Sequence, residues 1–258
     1  MSRAHEDLGE DRVAALVTLW HERFYGVDFL LLLGSPVYYA VGVPQGDGSA
    51  VVMIPGFMHS DAYLLVMYAW LKRLGYQPYY SGLELNADCP NLLIRDQINA
   101  VVSRARRETG RKVHMIGHSL GGIIARSIAA QRPRDTASVI TLGATFRKSV
   151  MHFSLWREID MVRDAILKKH GSEVKPGCYT DRCTCDFMKA LRRKMPASVA
   201  QTAIYTRNDG VVDWRCCKTG NPKYDVEVTG THAGLAFNPK VYSIIAERLA
   251  RKARAATT

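Results

Sequence analysis

Three residues whose types together perform acyl transfer occur in the order Ser, Asp, His. Ser119 lies in Gly117-His118-Ser119-Leu120-Gly121-Gly122, Asp209 in Asn208-Asp209-Gly210, and His232 in Thr231-His232-Ala233-Gly234. A serine hydroxyl is a weak nucleophile near neutral pH, so it needs a base within hydrogen-bond reach and a third group to orient that base. His232 is the candidate base and Asp209 the candidate acid. Asp213, four residues further on, serves instead if the loop turns differently.

Acyl transfer also needs donors for the oxyanion of the tetrahedral intermediate, typically two backbone N–H groups held away from water. Leu120, directly after the serine, offers one. The other is expected from Pro55-Gly56-Phe57-Met58, with Phe57 presenting the amide and Met58 as the alternative.

These residues must be positioned by a scaffold, and the hydrophobic pattern supplies one. From Ala50 onward, short apolar runs alternate with amphipathic stretches: strands at Ala50 to Ile54, Tyr76 to Tyr80, around Val113, and at Ala137 to Leu142, with helices at Ser60 to Leu74, Asn91 to Thr109 and after Ser119. Such alternation predicts an α/β protein with a mostly parallel central sheet covered by helices on both faces. Strands at Val199 to Thr206 and Val226 to Val228 and a helix at Pro239 to Ala253 complete it. Before Ala50, a helix is expected at Asp11 to Glu22 and extended segments at Phe29 to Leu33 and Val37 to Val43.

Each candidate then falls at the carboxyl end of a strand. Ser119 sits where a strand turns sharply into a helix, and Gly117 and Gly121 leave room for that turn. The alternation breaks between residues 145 and 198, where helices at Phe153 to Lys169 and Asp186 to Lys194 carry exposed-looking Phe153, Trp156, Met161 and Phe187. One domain over residues 1–258, with 145–198 as a helical cap inserted in it, is the expected organisation.

The elbow around Ser119, the loop Pro55-Gly56-Phe57, the segment Asn208-Asp209-Gly210-Val211-Val212 and Thr231-His232-Ala233-Gly234-Leu235 together resemble the α/β-hydrolase lipases and esterases. The order Ser, Asp, His matches theirs. The resemblance covers roughly Ala50 to Ala250 apart from the cap, and departs from the commonest lipase pattern in having Pro55 where many have a histidine. It implies the α/β-hydrolase fold, hydrolysis of carboxylic esters through a Ser119-His232-Asp209 triad and an acyl-enzyme, and no cofactor. A thioesterase or acyltransferase would use the same residues, and a non-catalytic lipid-binding module would keep the fold alone. Met58, His118, Phe153 and Trp156 are the residues expected to grip the substrate, an acyl ester of medium or longer chain.

Six cysteines occur, five of them in two groups: Cys178, Cys183 and Cys185 in the cap, Cys216 and Cys217 after the acid loop. The spacing lacks the paired C-x2-C knuckles of structural zinc sites, and no metal is expected. By resemblance to several bacterial lipases, a disulfide joining Cys183 or Cys185 to Cys216 or Cys217 is expected; reduced thiols are the alternative.

The 35 Lys and Arg against 24 Asp and Glu give a formal charge of +11. They are scattered through helices without a nucleic-acid motif, so an ester or lipid substrate and an anionic membrane surface are the expected partners, and nucleic acid is not. Acidic residues in the first thirty and apolar runs too short to span a bilayer argue against a leader or anchor, which predicts a cytoplasmic protein, with secretion as the alternative.

Overall fold

The computed structural model describes residues 22–146, 153–175, 177–180 and 182–255; the side chains of Arg23, Phe153, Ser154, Trp156 and residues 252–255 are not described. Most of the expected helix at Asp11 to Glu22 lies outside these residues.

Helix α1 is Tyr25–Leu33, followed by a 3-10 turn at Pro36–Tyr39. Both replace the extended segments expected there. The run Phe29 to Leu33 contains no β-branched residue, and leucine is among the best helix formers, so the apolar run is a helix end. Leu32 is buried while Leu30 and Leu31 face outward.

Strand β1 is Ala50–Ile54 and β2 is Gln77–Tyr80, joined through a 3-10 turn at Asp61–Leu64 and helix α2, Leu65–Arg73. Helix α3, Pro90–Leu93, runs through a π turn, Ile94–Ile98, into α4, Asn99–Thr109. Gly110, at φ 65°, ends α4 in the left-handed region. Then come β3, Val113–His118; α5, Leu120–Gln131; and β4, Thr136–Leu142. Helices α6, Phe153–His170, and α7, Asp186–Arg192, occupy the inserted segment. The chain closes with β5, Ala200–Tyr205; β6, Asp225–Glu227; and α8, Pro239–Ala255.

The six strands pair in the order β2-β1-β3-β4-β5-β6, every neighbour parallel. Alternate residues of the central strands feed two separate cores. Val51, Met53, Ile116, Ile140 and Ile204 pack with Trp70, Leu71, Tyr242 and Ile245 on one face. Val52, Ile54, Met115 and Val139 pack with Ile98, Val102, Ile124 and Ile128 on the other. A sheet buried on both sides explains why its strands read as unbroken apolar runs.

Phe187 departs from its expected exposure: it is buried in the second core, where its carbonyl accepts the Ser127 hydroxyl of α5. Helix α7 is thus docked on the sheet layer, while Met161 of α6 is 71% exposed. Among the described residues, no helix is long and apolar enough to cross a membrane.

Candidate active site

Ser119 stands alone between β3 and α5, with φ 51° and ψ −123°. A side-chain-bearing residue there is strained by about 1–3 kcal/mol, and the surroundings over-determine it. Its N–H donates to the Leu142 carbonyl at 2.8 Å, and its own carbonyl accepts from Gly122. A Cβ on Gly121 would lie 2.2 Å from the Ile54 carbonyl, so only glycine lets α5 start this close to β1.

The loop after β1 lies against this turn. A Cβ on Gly56 would stand 3.3 Å from the Ser119 Cβ. Buried Asn86 shapes the loop: its Nδ2 donates to the Pro55 carbonyl at 2.8 Å, its carbonyl accepts the Met58 N–H at 3.0 Å, and its N–H reaches the His59 carbonyl at 2.9 Å. The Met58 amide is thereby spent, which leaves Phe57 as the candidate donor of this loop. Leu120 is the first residue of α5, so its N–H has no acceptor within the helix.

Asp209 and His232 meet directly. His232 Nδ1 donates to Asp209 Oδ2 at 2.6 Å, with both side chains buried. The other carboxylate oxygen accepts the Val211 and Val212 amides at 2.9 and 2.8 Å. Asp213 instead caps the 3-10 turn at Trp214–Cys217, accepting from the Arg215 amide. Burial opposes a charged imidazole, but the Asp209 carboxylate, through charge and hydrogen bond, and the more distant Glu22 carry the His232 pKa above its ordinary value. With Nδ1 bound to Asp209, Nε2 is left as the acceptor nitrogen. The two halves of the site share the Leu142-Gly143 corner: Leu142 holds the Ser119 amide, and a Cβ on Gly143 would stand 3.0 Å from the imidazole.

His118 is a buried neighbour of His232 rather than an open wall of the crevice. Its Nε2–H donates to the His232 carbonyl at 2.9 Å, and burial, with His232 nearby, drives its pKa down to about 3. Met58 is 46% exposed beside the loop, at φ 58°. Phe153 and Trp156 belong to α6, but their side chains lie outside the described residues.

Three positions escape any motif. The Glu22 carboxylate accepts the amides of Gly210, His232 and Ala233 at 3.0, 2.9 and 2.8 Å, tying the acid loop to the base loop. The Tyr63 hydroxyl donates to the Ala233 carbonyl at 2.9 Å. Asn86 is the third. All three act on backbone groups, so no partner residue type marks them in the sequence.

The expected bridge between the cap and the acid loop is not formed: all six cysteines are free thiols. Cys217 packs with Tyr205 and Val212, whereas Cys178 lies with Cys89 in a separate cluster. Cys183 and Cys185 face Cys89 and Cys178, not Cys216 or Cys217.

A parallel sheet with a strained serine turn at its centre, and an acid and a histidine on the loops after its later strands, defines the α/β-hydrolase fold. Residues 87–184 match the family described as alpha/beta hydrolase fold. The chain has that fold, and the relatives reported next are named as lipases. It is 30% identical over 217 residues to a triacylglycerol lipase of Burkholderia plantarii, covering 76% of this chain and 59% of the relative. It is 31% identical over 175 residues to one of Pseudarthrobacter phenanthrenivorans, covering 61% and 53%. The chain thus spans little more than half the length of these relatives. A crystal structure of a Paleococcus ferrophilus monoacylglycerol lipase superposes with a TM-score of 0.52 at 14% identity, over 81% of this chain and 97% of that one, a likeness of fold.

Proposed function

We propose that the chain is a serine carboxylic-ester hydrolase, an esterase or lipase. The observation that carries the reading is the 2.6 Å bond from His232 Nδ1 to buried Asp209, which frees Nε2 as a base beside the Ser119 turn. The matched lipases favour an ester substrate.

In this mechanism His232 Nε2 takes the proton of the Ser119 hydroxyl as its oxygen attacks the ester carbonyl. The oxyanion is held by the Leu120 and Phe57 amides, and loss of one such donor costs about 3 kcal/mol of transition-state stabilisation. The imidazolium, stabilised by Asp209, then protonates the departing alcohol. Water, deprotonated by the same nitrogen, releases the acid from the acyl-enzyme.

Residues 145–198 act as the cap of this site, with Met58 and the α6 residues Phe153 and Trp156 gripping an acyl chain of medium or longer length. The net charge of +11 favours approach to anionic lipid surfaces. Hydrolysis of chromogenic esters from acetyl to palmitoyl, by the wild type and by Ser119→Ala, tests the reading. The expected result is hydrolysis that peaks beyond acetate and disappears in the variant; no hydrolysis of any ester by folded wild type overturns it.

A further inference from the structure

Outside the Ser119 crevice, four cysteines come together in one place. Cys89 precedes α3, Cys178 and Cys183 lie between α6 and α7, and Cys185 caps α7. The first three are buried, and a cavity of about 280 Å³ opens among all four. The thiols meet in two pairs: Cys178 against Cys89, and Cys185 against Cys183. Among the described residues, no three His, Cys, Asp or Glu side chains are arranged to hold a metal ion.

The two pairs differ in what they can become. Cys183 and Cys185 are separated by Thr184 alone, so a bridge between them would close only a very short loop and constrain little of the chain. Cys89 and Cys178 come from separate elements that are already docked. Asp88 accepts Lys169 Nζ at 2.7 Å and His170 Nε2 at 2.8 Å, both from the end of α6, and its carbonyl accepts the Tyr179 hydroxyl at 3.0 Å. The Cys178 hydrogen bond holds the Cys89 thiol below the usual thiol range despite burial, and the Leu92 and Asn91 amides add to it. Tyr179, at φ 60°, sets its ring edge-on to Phe57 with centroids 6.2 Å apart. Cys178 is therefore one residue from a contact with the loop after β1.

We propose that Cys89 and Cys178 form a reversible disulfide, with hydrogen peroxide as oxidant, that fastens the inserted segment to the start of α3. The Cys89 thiolate attacks one peroxide oxygen, breaking the O–O bond and giving a sulfenic acid and hydroxide. That hydroxide takes the Cys178 proton and leaves as water. The Cys178 sulfur then attacks the sulfenic sulfur, forming the S–S bond and expelling a second hydroxide, which solvent protonates. Two thiols and one peroxide thus give a disulfide and two waters, the two electrons passing from sulfur to oxygen. The effect on hydrolysis, through Tyr179 and Phe57, rests on the function proposed above; the bond itself does not.

The test is made on the full chain, treated with hydrogen peroxide or with dithiothreitol, alkylated, digested and mapped by mass. The expected result is a linked peptide pair containing Cys89 and Cys178 after peroxide, absent after reduction. The oxidised protein should melt higher by on the order of 5–10 °C, since the bridge closes a long loop. Cys178→Ser should lose both effects and Cys216→Ser neither. A bridge from Cys183 to Cys185 or from either to Cys216 or Cys217 in oxidised wild type, Cys89 oxidised without a partner, or a metal ion retained by the four thiols would overturn the proposal. Because the decisive readout is a peptide map of wild type, neither a misfolded variant nor an inactive enzyme can imitate the outcome.

Discussion

Glu22 and His232 are 210 positions apart in the chain, and Glu22 Oε1 accepts the His232 backbone N–H at 2.9 Å. The same oxygen accepts from Gly210 and its twin from Ala233, so one carboxylate holds the loops that present both Asp209 and His232. Hydrogen bonds to a charged acceptor contribute about 1.5–3 kcal/mol each. Glu22→Ala should therefore lower stability by about 2–4 kcal/mol and cut kcat roughly tenfold, with little change in KM. Glu22→Gln keeps one oxygen for Gly210 and His232 but turns an amino group toward the Ala233 N–H, so it should fall between the two. Denaturant melts with steady-state kinetics on one soluble ester check this; unchanged kcat in both variants would remove Glu22 from the site.

The pH profile follows from the direction of the His232 shift. A base must be neutral to accept the serine proton, and the raised pKa of His232 means that the imidazolium persists above the ordinary histidine value of about 6.5. The value of kcat/KM should therefore rise with pH through a midpoint above 6.5. Glu22 adds to the upward shift, so Glu22→Gln should move that midpoint to lower pH. A wild-type midpoint below 6.5 would contradict the buried Asp209–His232 pair.

Replacing each aspartate separates the two candidate acids. Asp209→Asn removes the charge facing the imidazole and offers an amide that can favour the wrong tautomer, and a loss of roughly 10⁴-fold in kcat is the precedent for such a change in a serine protease. Asp213→Asn should stay within about threefold of wild type, because asparagine still caps the 3-10 turn and only the exposed Arg215 contact weakens. Equal losses from the two substitutions would show that the acid loop adopts another arrangement during turnover.

How much of this was legible in the chain depends on which groups make the contact. Strands such as Ala50–Ile54 were readable because both faces are buried and every residue is apolar. The Ser119 turn was readable because Gly117 and Gly121 are forced by backbone atoms close to them. Glu22 and Asn86 were not, because their partners are peptide groups, which every residue carries. Phe29 to Leu33 misled because an apolar run alone does not choose between strand and helix. Phe187 reads as a cap surface in the sequence because the side of α7 that docks on α5 is set by tertiary packing. The cysteines followed chain grouping in the sequence, whereas the fold sorts them by space and brings Cys89, outside both groups, to Cys178.

Two glycines give contrasting tests of how the site is built. At Gly121 a Cβ would stand 2.2 and 2.4 Å from the carbonyl oxygens of Ile54 and Pro55, backbone atoms of β1 and its exit that cannot step aside. Gly121→Ala should therefore push α5 off the sheet and give a protein destabilised by more than about 3 kcal/mol, or none that is soluble. At Gly56 the nearest atoms are His118 Nδ1 at 3.1 Å and Ser119 Cβ at 3.3 Å, side-chain atoms that need yield only a few tenths of an ångström. Yet those atoms belong to the strained serine and to the histidine that holds the His232 carbonyl. Gly56→Ala should fold with nearly native stability while kcat falls by roughly 3–10-fold, since a displacement of about 1 Å at a reacting group costs about 100-fold and the shift needed here is a fraction of that. Thermal melting beside ester hydrolysis reads both effects. A Gly56→Ala protein that melts normally and turns over at the wild-type rate would mean that the loop after β1 does not need its close approach to Ser119.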